Sequence, residues 1–198
     1  MGLDYPYSFG QTPLDEDEKE GLKSGLVTTK WELDQLEQLN IEKAVEWTIH
    51  RRLDENRILT EEFVKSIHLR MLGDVWDWAG SFRRSDKNLG VTWIYIGVEL
   101  RKLLDDTRFW IRNKAYPPDE IAIRFKHRIV KIHCFPNGNG RHSRLMADII
   151  IEKVFGKKVF SWRGSDMVKP DEIRKDYIFA IQEADKGDII PLLKFARS

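Results

Sequence analysis

The chain has 198 residues, 41% hydrophobic and 33% charged, with a net charge of +1; that length usually makes one domain and buries ~70% of the unfolded surface, so a core forms without covalent staples. The near-neutral balance argues against bulk electrostatic binding to nucleic acid or to an anionic membrane, and the single cysteine, Cys134, excludes an internal disulfide and fits a reducing compartment. No apolar run is long enough to span a bilayer and no signal-peptide pattern opens the chain, so the expectation is a cytoplasmic protein.

Residues 1–27 hold Gly, Pro and an acidic run from Asp15 to Glu20, and read as an irregular N-terminal arm. Thr28 or Thr29 then suits a helix N-cap, with Glu32 three positions after Thr29 as in a capping box. A stripe of Leu33, Leu36, Ile41, Ala44, Val45 and Ile49 follows, giving an N-terminal helix within 28–55. A second helix fits Thr60 to Leu72 with Phe63, Ile67 and Met71 inward, and opens a core of about 56–198.

The β-branched and aromatic run 89–96 is the one convincing piece of strand material, enough for a hairpin at most. A helix spans about Val98 to Ile111. Pro117-Pro118-Asp119 starts another, with the stripe Ile121, Phe125, Ile129 and Ile132, and it delivers His133 at its C-terminal end. Helices near Asp171–Glu183 and Ile189–Phe195 close the chain. The fold class is all-α with one small β excursion.

The segment from His133 to Arg144 carries the chemistry. A histidine precedes a Gly-rich turn (Asn137, Gly138, Asn139, Gly140), and Arg141 and Arg144 follow on what the apolar spacing of Leu145, Met146, Ile149 and Ile150 marks as a new helix. Each feature alone has a plain structural explanation: a helix-end His is often a cap, a Gly-Asn-Gly turn a turn, an Arg pair a solvated face. Contiguous and in this order, they converge on one helix N-terminus, where free N–H groups and the macrodipole favour an anion. The turn is not a Walker A loop, which needs Lys-Ser/Thr after its last glycine, nor a Rossmann turn, since a helix and not a strand precedes it. A zinc site from His133, Cys134 and His142 matches no common ligand spacing.

The stretch His133–Arg144 resembles the Fic (filamentation induced by cyclic AMP) signature His-Pro-Phe-x-Asp/Glu-Gly-Asn-Gly-Arg-x-x-Arg, with His133, Phe135, Gly138, Asn139, Gly140, Arg141 and Arg144 matching. Trp78-Ala79-Gly80 with Phe82-Arg83, and Tyr177-Ile178 with Ala184-Asp185 and Gly187-Asp188, are similar to further family segments. From Thr29 onward the chain is similar to the Fic subfamily called mobile mystery protein B.

The resemblance implies a Fic-type helical bundle with a small β-hairpin flap. It also implies transfer of AMP or another NMP from a nucleoside triphosphate, with Mg²⁺, to a hydroxyl of a target protein. In that scheme His133 is the general base, and Gly138, Asn139 and Gly140 line the anion hole. Arg141 and Arg144 grip the outer phosphates, Phe135 anchors the loop, and Tyr177 lies beside the nucleotide's base or simply packs. Leu89, Gly90, Val91, Thr92 and Trp93 form the flap that docks the target by strand addition.

Two residues depart from the signature. Cys134 replaces the proline and suits plain packing. Asn137 replaces the acid that holds Mg²⁺ in the family, and an uncharged amide oxygen is a weaker ligand. Many relatives also carry an inhibitory helix, patterned Ser/Thr-x-x-x-Glu-Gly/Asn, whose glutamate pairs with the second motif arginine. Thr28-x-x-x-Glu32 fits until Leu33, and Glu37 on the same helix is a second candidate; capping and a solvated face are the plainer readings. A phosphotransferase is a competing expectation, disfavoured by glycine at 140 where such relatives carry lysine. A non-catalytic nucleotide-binding module, made plausible by Asn137, is the other. No direct nucleic-acid or membrane contact is expected, and the oligomeric state is not legible.

Overall fold

The computed structural model describes residues 14–23, 25, 27, 29–164 and 170–198. Nine α-helices are present among them: α1 Glu16–Glu20, α2 Lys30–Ile49, α3 Glu55–Ile58, α4 Glu61–Leu72, α5 Ile96–Asn113, α6 Pro118–Ile132, α7 Asn139–Ile149, α8 Pro170–Asp185 and α9 Ile190–Arg197. A 3₁₀ turn, Trp93–Tyr95, leads into α5, and α7 runs on into a π-helical turn, Ile150–Val154.

Local chemistry sets most of these boundaries. Thr29 caps α2 by accepting the Glu32 N–H, while Glu32 accepts the Thr29 N–H, a reciprocal capping box. Thr28, the other candidate cap, lies outside the described residues. Asp54 caps α3 and Thr60 caps α4. Pro118 opens α6, where its missing N–H costs nothing.

Helix α6 lies at the centre, packed on α5 and α7, with α2 across α4 and α8 against α9. Ile121, Phe125, Ile129 and Ile132 of α6, Phe63, Ile67 and Met71 of α4, and Met146 and Ile149 of α7 build the core. Burial of this kind is worth about 1.5–3 kcal/mol per large apolar side chain. The core's placement fixes the site, because α6 ends and α7 begins at its middle.

Two expectations need correction. First, no hairpin forms in 89–96. Among the described residues the nearest thing to a sheet is one isolated bridge, Leu22 with Trp76. The reason lies in the partners of the local carbonyls. Those of Ser85 and Val91 turn inward to the Arg83 guanidinium, and Gly90 takes φ +105° against α6, so no second strand is offered. Second, the arm holds one short helix, α1, among its described residues. Asp15 caps α1, and the segment is tied down by Lys87, which pairs with Asp15 and Glu18 at 2.6 Å each, and by Trp78, whose ring N–H donates to the Glu18 carbonyl. The arm's residues 1–13 lie outside the described residues.

Candidate functional site

His133 ends α6 in the left-handed region (φ +57°) and is 6% exposed. A ring nitrogen bonds the Val130 carbonyl. Burial, and then the positive charge of Arg83, lower its pKa from 6.5 to about 4. The ring is therefore neutral at physiological pH. With one nitrogen donating to a carbonyl, the other keeps its lone pair.

The turn that follows is held from three sides. Phe135 is fully buried and stacks on His68, with ring centroids 3.7 Å apart. His68 Nδ1 accepts the Gly80 N–H at 2.9 Å, so its Nε2 carries the proton and donates to the Asn137 carbonyl at 3.0 Å. Burial holds His68 well below its ordinary pKa and His142 at about 4. His142 contacts the Val64 carbonyl through Nε2 at 3.0 Å. These two neutral histidines tie the turn to α4. The sequence reading weighed His142 only as a zinc ligand and did not single out His68, whose signal was the Gly80 of the Trp-Ala-Gly segment, on another element.

Asn139 does not present its side chain to a ligand. Its amide oxygen accepts the Phe135 N–H at 3.0 Å and its NH₂ donates to the Phe135 carbonyl at 2.7 Å, closing the turn on itself. Only its backbone is left to line an anion seat. Gly138 takes φ +76°, and a Cβ there would meet Leu72 Cδ1 at 2.7 Å; a Cβ on Gly140 would meet nothing within 4 Å. Cys134 is fully buried, and burial pushes its thiol up to about 12, which makes it inert.

The two motif arginines differ. Arg141 is paired: its guanidinium meets Glu37 Oε2 at 2.6 Å, while Glu37 Oε1 accepts the Trp76 ring N–H at 2.6 Å. Glu37 is 6% exposed, so the solvated-face reading is overturned. The carboxylate expected on Arg144 lies on Arg141 instead. Glu32 is spent on the α2 cap and reaches neither arginine. Arg144 lies 5.7 Å from the Tyr177 ring centroid, contacts the Gly140 carbonyl at 3.4 Å and forms no ion pair with a described residue. Burial lowers its pKa. Tyr177 packs on Phe195 and accepts a hydrogen bond from Lys126, a fully buried amine of α6. Leu89, Trp93, Ile94 and Tyr95 stand exposed beside the site, while Val91 donates its N–H to the Ile132 carbonyl at 3.3 Å.

Asn137 Oδ1 accepts the Gly138 N–H at 2.6 Å, and among the described residues no group of three His, Cys, Asp or Glu side chains could hold a metal. The chain offers Mg²⁺ one neutral oxygen already engaged by its own backbone. These residues do not by themselves build a cation seat. Among the described residues no helix is long and apolar enough to cross a membrane.

Fold and site together define a helical domain with a neutral histidine, a glycine-rich turn and two arginines at one helix junction. Residues 58–151 match the model of the Fic/DOC family. It is similar to the protein adenylyltransferase Fic of Aedes aegypti (26% identical over 170 residues, 80% of this chain and 31% of that one). The same holds for its namesake in Nematostella vectensis (26% over 167 residues, 82% and 37%). The chain thus spans about a third of the curated relatives it matches. Its fold is similar to that of Fic-1 (residues 134–508) of C. elegans, with TM-score 0.69 and 22% identity, covering 88% of this chain and 51% of that one. It is also similar to the BepC protein of Bartonella tribocorum with bound AMPPNP, with TM-score 0.66 and 16% identity, covering 92% and 97%.

Proposed function

We propose that residues 28–198 act as one catalytic unit that transfers a nucleoside monophosphate, AMP from ATP in the first instance, to a Ser, Thr or Tyr hydroxyl of a target protein. The observation that carries the reading is the neutral His133 imidazole standing at the start of an anion seat whose Arg144 has no carboxylate partner among the described residues. A buried guanidinium that makes no ion pair among the described residues, with the Asp148 carboxylate acting on it only at longer range, suits an arriving phosphate. The relatives named protein adenylyltransferase support the reaction, and the AMPPNP of the Bartonella protein supports a triphosphate donor.

In this scheme His133 takes the proton of the target hydroxyl as its oxygen attacks the α-phosphorus. The bond from the α-phosphorus to the bridging oxygen breaks, and pyrophosphate leaves. Backbone N–H groups of the turn 138–140 receive the charge developing on the α-phosphate, and Arg144 receives that of the leaving group. Arg141 joins only when Glu37 releases it, so Glu37 acts as a brake on the nucleotide seat. The exposed segment 89–95 docks the target, by side-chain contact and not by a preformed strand edge. Any Mg²⁺ would arrive with the phosphates of the nucleotide, since Asn137 offers it only a neutral oxygen already bonded to the Gly138 N–H. Membership of the mobile mystery protein B subfamily and a cytoplasmic location belong to the same proposal.

Incubation with α- and γ-labelled ATP tests it. Label from the α position on protein, abolished by His133→Ala, is the expected result. Label from the γ position would establish phosphate transfer, and nucleotide binding without labelling would establish a binding module.

A further inference from the structure

The function above gives Arg83 no part, yet Arg83 is the largest fully buried side chain among the described residues and bonds backbone on both sides of the site. Its Nε donates to the His133 carbonyl at 2.6 Å and its Nη1 to the Ser85 carbonyl at 2.7 Å. Its Nη2 donates to the Val91 carbonyl and lies 3.5 Å from that of Ile132. The Asp86 carboxylate stands 3.6 Å away and also accepts the Trp93 N–H at 2.7 Å. One planar fork therefore joins the last two residues of α6 to both ends of the segment 85–91. Gly90 completes the contact: a Cβ there would lie 2.6 Å from His133 Cβ and 2.8 Å from Arg83 Nη2.

We propose that Arg83 is a positioning residue that sets the acceptor side of the site, holding the base His133 and the target-docking segment in one register. The proposal rests on the adenylyl-transfer reading for its catalytic consequence. Its structural content stands apart from that reading. A left-handed residue ending a helix has its carbonyl turned out of the helix, and here a charge-assisted hydrogen bond fixes where that carbonyl points and hence where the ring stands. The same guanidinium, being rigid, cannot follow a shift of the 85–91 backbone without leaving His133. Docking of a target on Leu89 and Trp93 is thus transmitted to the base. The charge of Arg83 has a second effect. With Lys87, it opposes protonation of the His133 ring, while the Val130 carbonyl favours it.

Charge and fork are separated by two substitutions. Arg83→Lys keeps the charge but can bond only part of the carbonyl set; Arg83→Met loses both. For Arg83→Lys the expected result is a tenfold or greater rise in KM for the protein acceptor. ATP affinity should stay unchanged, the His133 titration (read by NMR on labelled histidine) should stay near that of the wild type, and the Val91 amide should exchange faster. For Arg83→Met the His133 midpoint should also move up. If these variants fail to fold, Gly90→Ala, which retains the Arg83 side chain but forces the segment off both His133 and the Arg83 Nη2, is expected to raise acceptor KM in the same way. Acceptor KM within twofold of wild type in the folded variants would overturn the proposal. So would unchanged Val91 exchange in Arg83→Lys. Should the wild type transfer no label at all, the adenylyl-transfer reading fails, while Val91 exchange and the His133 titration still decide the linkage.

Discussion

Gly138 and Gly140 stand two positions apart and are glycine for different reasons. Gly138 needs its missing side chain for the fold, because its φ is +76° and Leu72 fills the space a Cβ would take. Gly138→Ala is expected to cost about 1–3 kcal/mol in thermal unfolding. Gly140 is helical and faces open space. Gly140→Ala should hold or raise stability, by up to about 1 kcal/mol of helix propensity. It should also lower ATP affinity several-fold by titration calorimetry, since the new methyl occupies the ligand's approach. Equal ATP binding in Gly140→Ala would show that no anion approaches the backbone there. Glu37 makes the complementary case. Glu37→Gln keeps an acceptor for the Trp76 ring N–H and removes the charge that holds Arg141. ATP affinity is expected to rise about tenfold, which is about 1.4 kcal/mol, whereas Glu32→Gln should leave it unchanged because that carboxylate caps α2 and the acid that holds Arg141 is Glu37.

Helices whose inward line is apolar were legible from spacing alone. Phe63, Ile67 and Met71 of α4 are buried as expected, and so are Ile121, Phe125, Ile129 and Ile132 of α6. Helix α2 was legible as a helix, but the side it buries was not. Its buried line runs Leu33, Glu37, Asn40, Ala44 and Thr48, while Val45 and Ile49 are 37% and 57% exposed. A hydrophobic pattern cannot find a face that carries the acceptor for Arg141 and Trp76. The motif turn could be read because its residues are contiguous. The clamps of His68 and Arg83 could not, because each joins segments about fifty to seventy residues apart. Helix α6 hides a similar surprise in Lys126, fully buried, with its pKa held well below the ordinary value by burial and then by Arg144. A buried amine facing only a phenol is a weak contributor to stability. Lys126→Met, of like volume, is therefore expected to hold or raise the melting temperature at pH 7. A loss beyond about 2 kcal/mol would show that the Tyr177 hydrogen bond outweighs the desolvation.

Across the whole molecule, neutral buried histidines set the response to acid. His133 and His142 sit at about 4 and His68 well below its ordinary value, against about 6.5 in the unfolded chain. Their folded pKa is depressed, so the stability they confer is complete above about pH 6.5 and drains as pH falls towards 4. Asp148 acts with the opposite sign. Burial raises its carboxyl to about 6, so it favours the folded state as pH drops below that value. Three histidines outweigh one carboxyl. At pH 5 unfolding should take up more protons than it releases, so stability falls as the pH is lowered there. Denaturant unfolding from pH 8 to 4.5 should thus show a near-flat plateau above pH 7 and a steep fall below pH 6. Because His68 and His142 hold the anion turn, acid should release the turn and the fold together: ATP binding should fade over the same interval in which stability does. A profile flat down to pH 4.5 would mean that these histidines are not held neutral, and with it the base assigned to His133 would lose its physical ground.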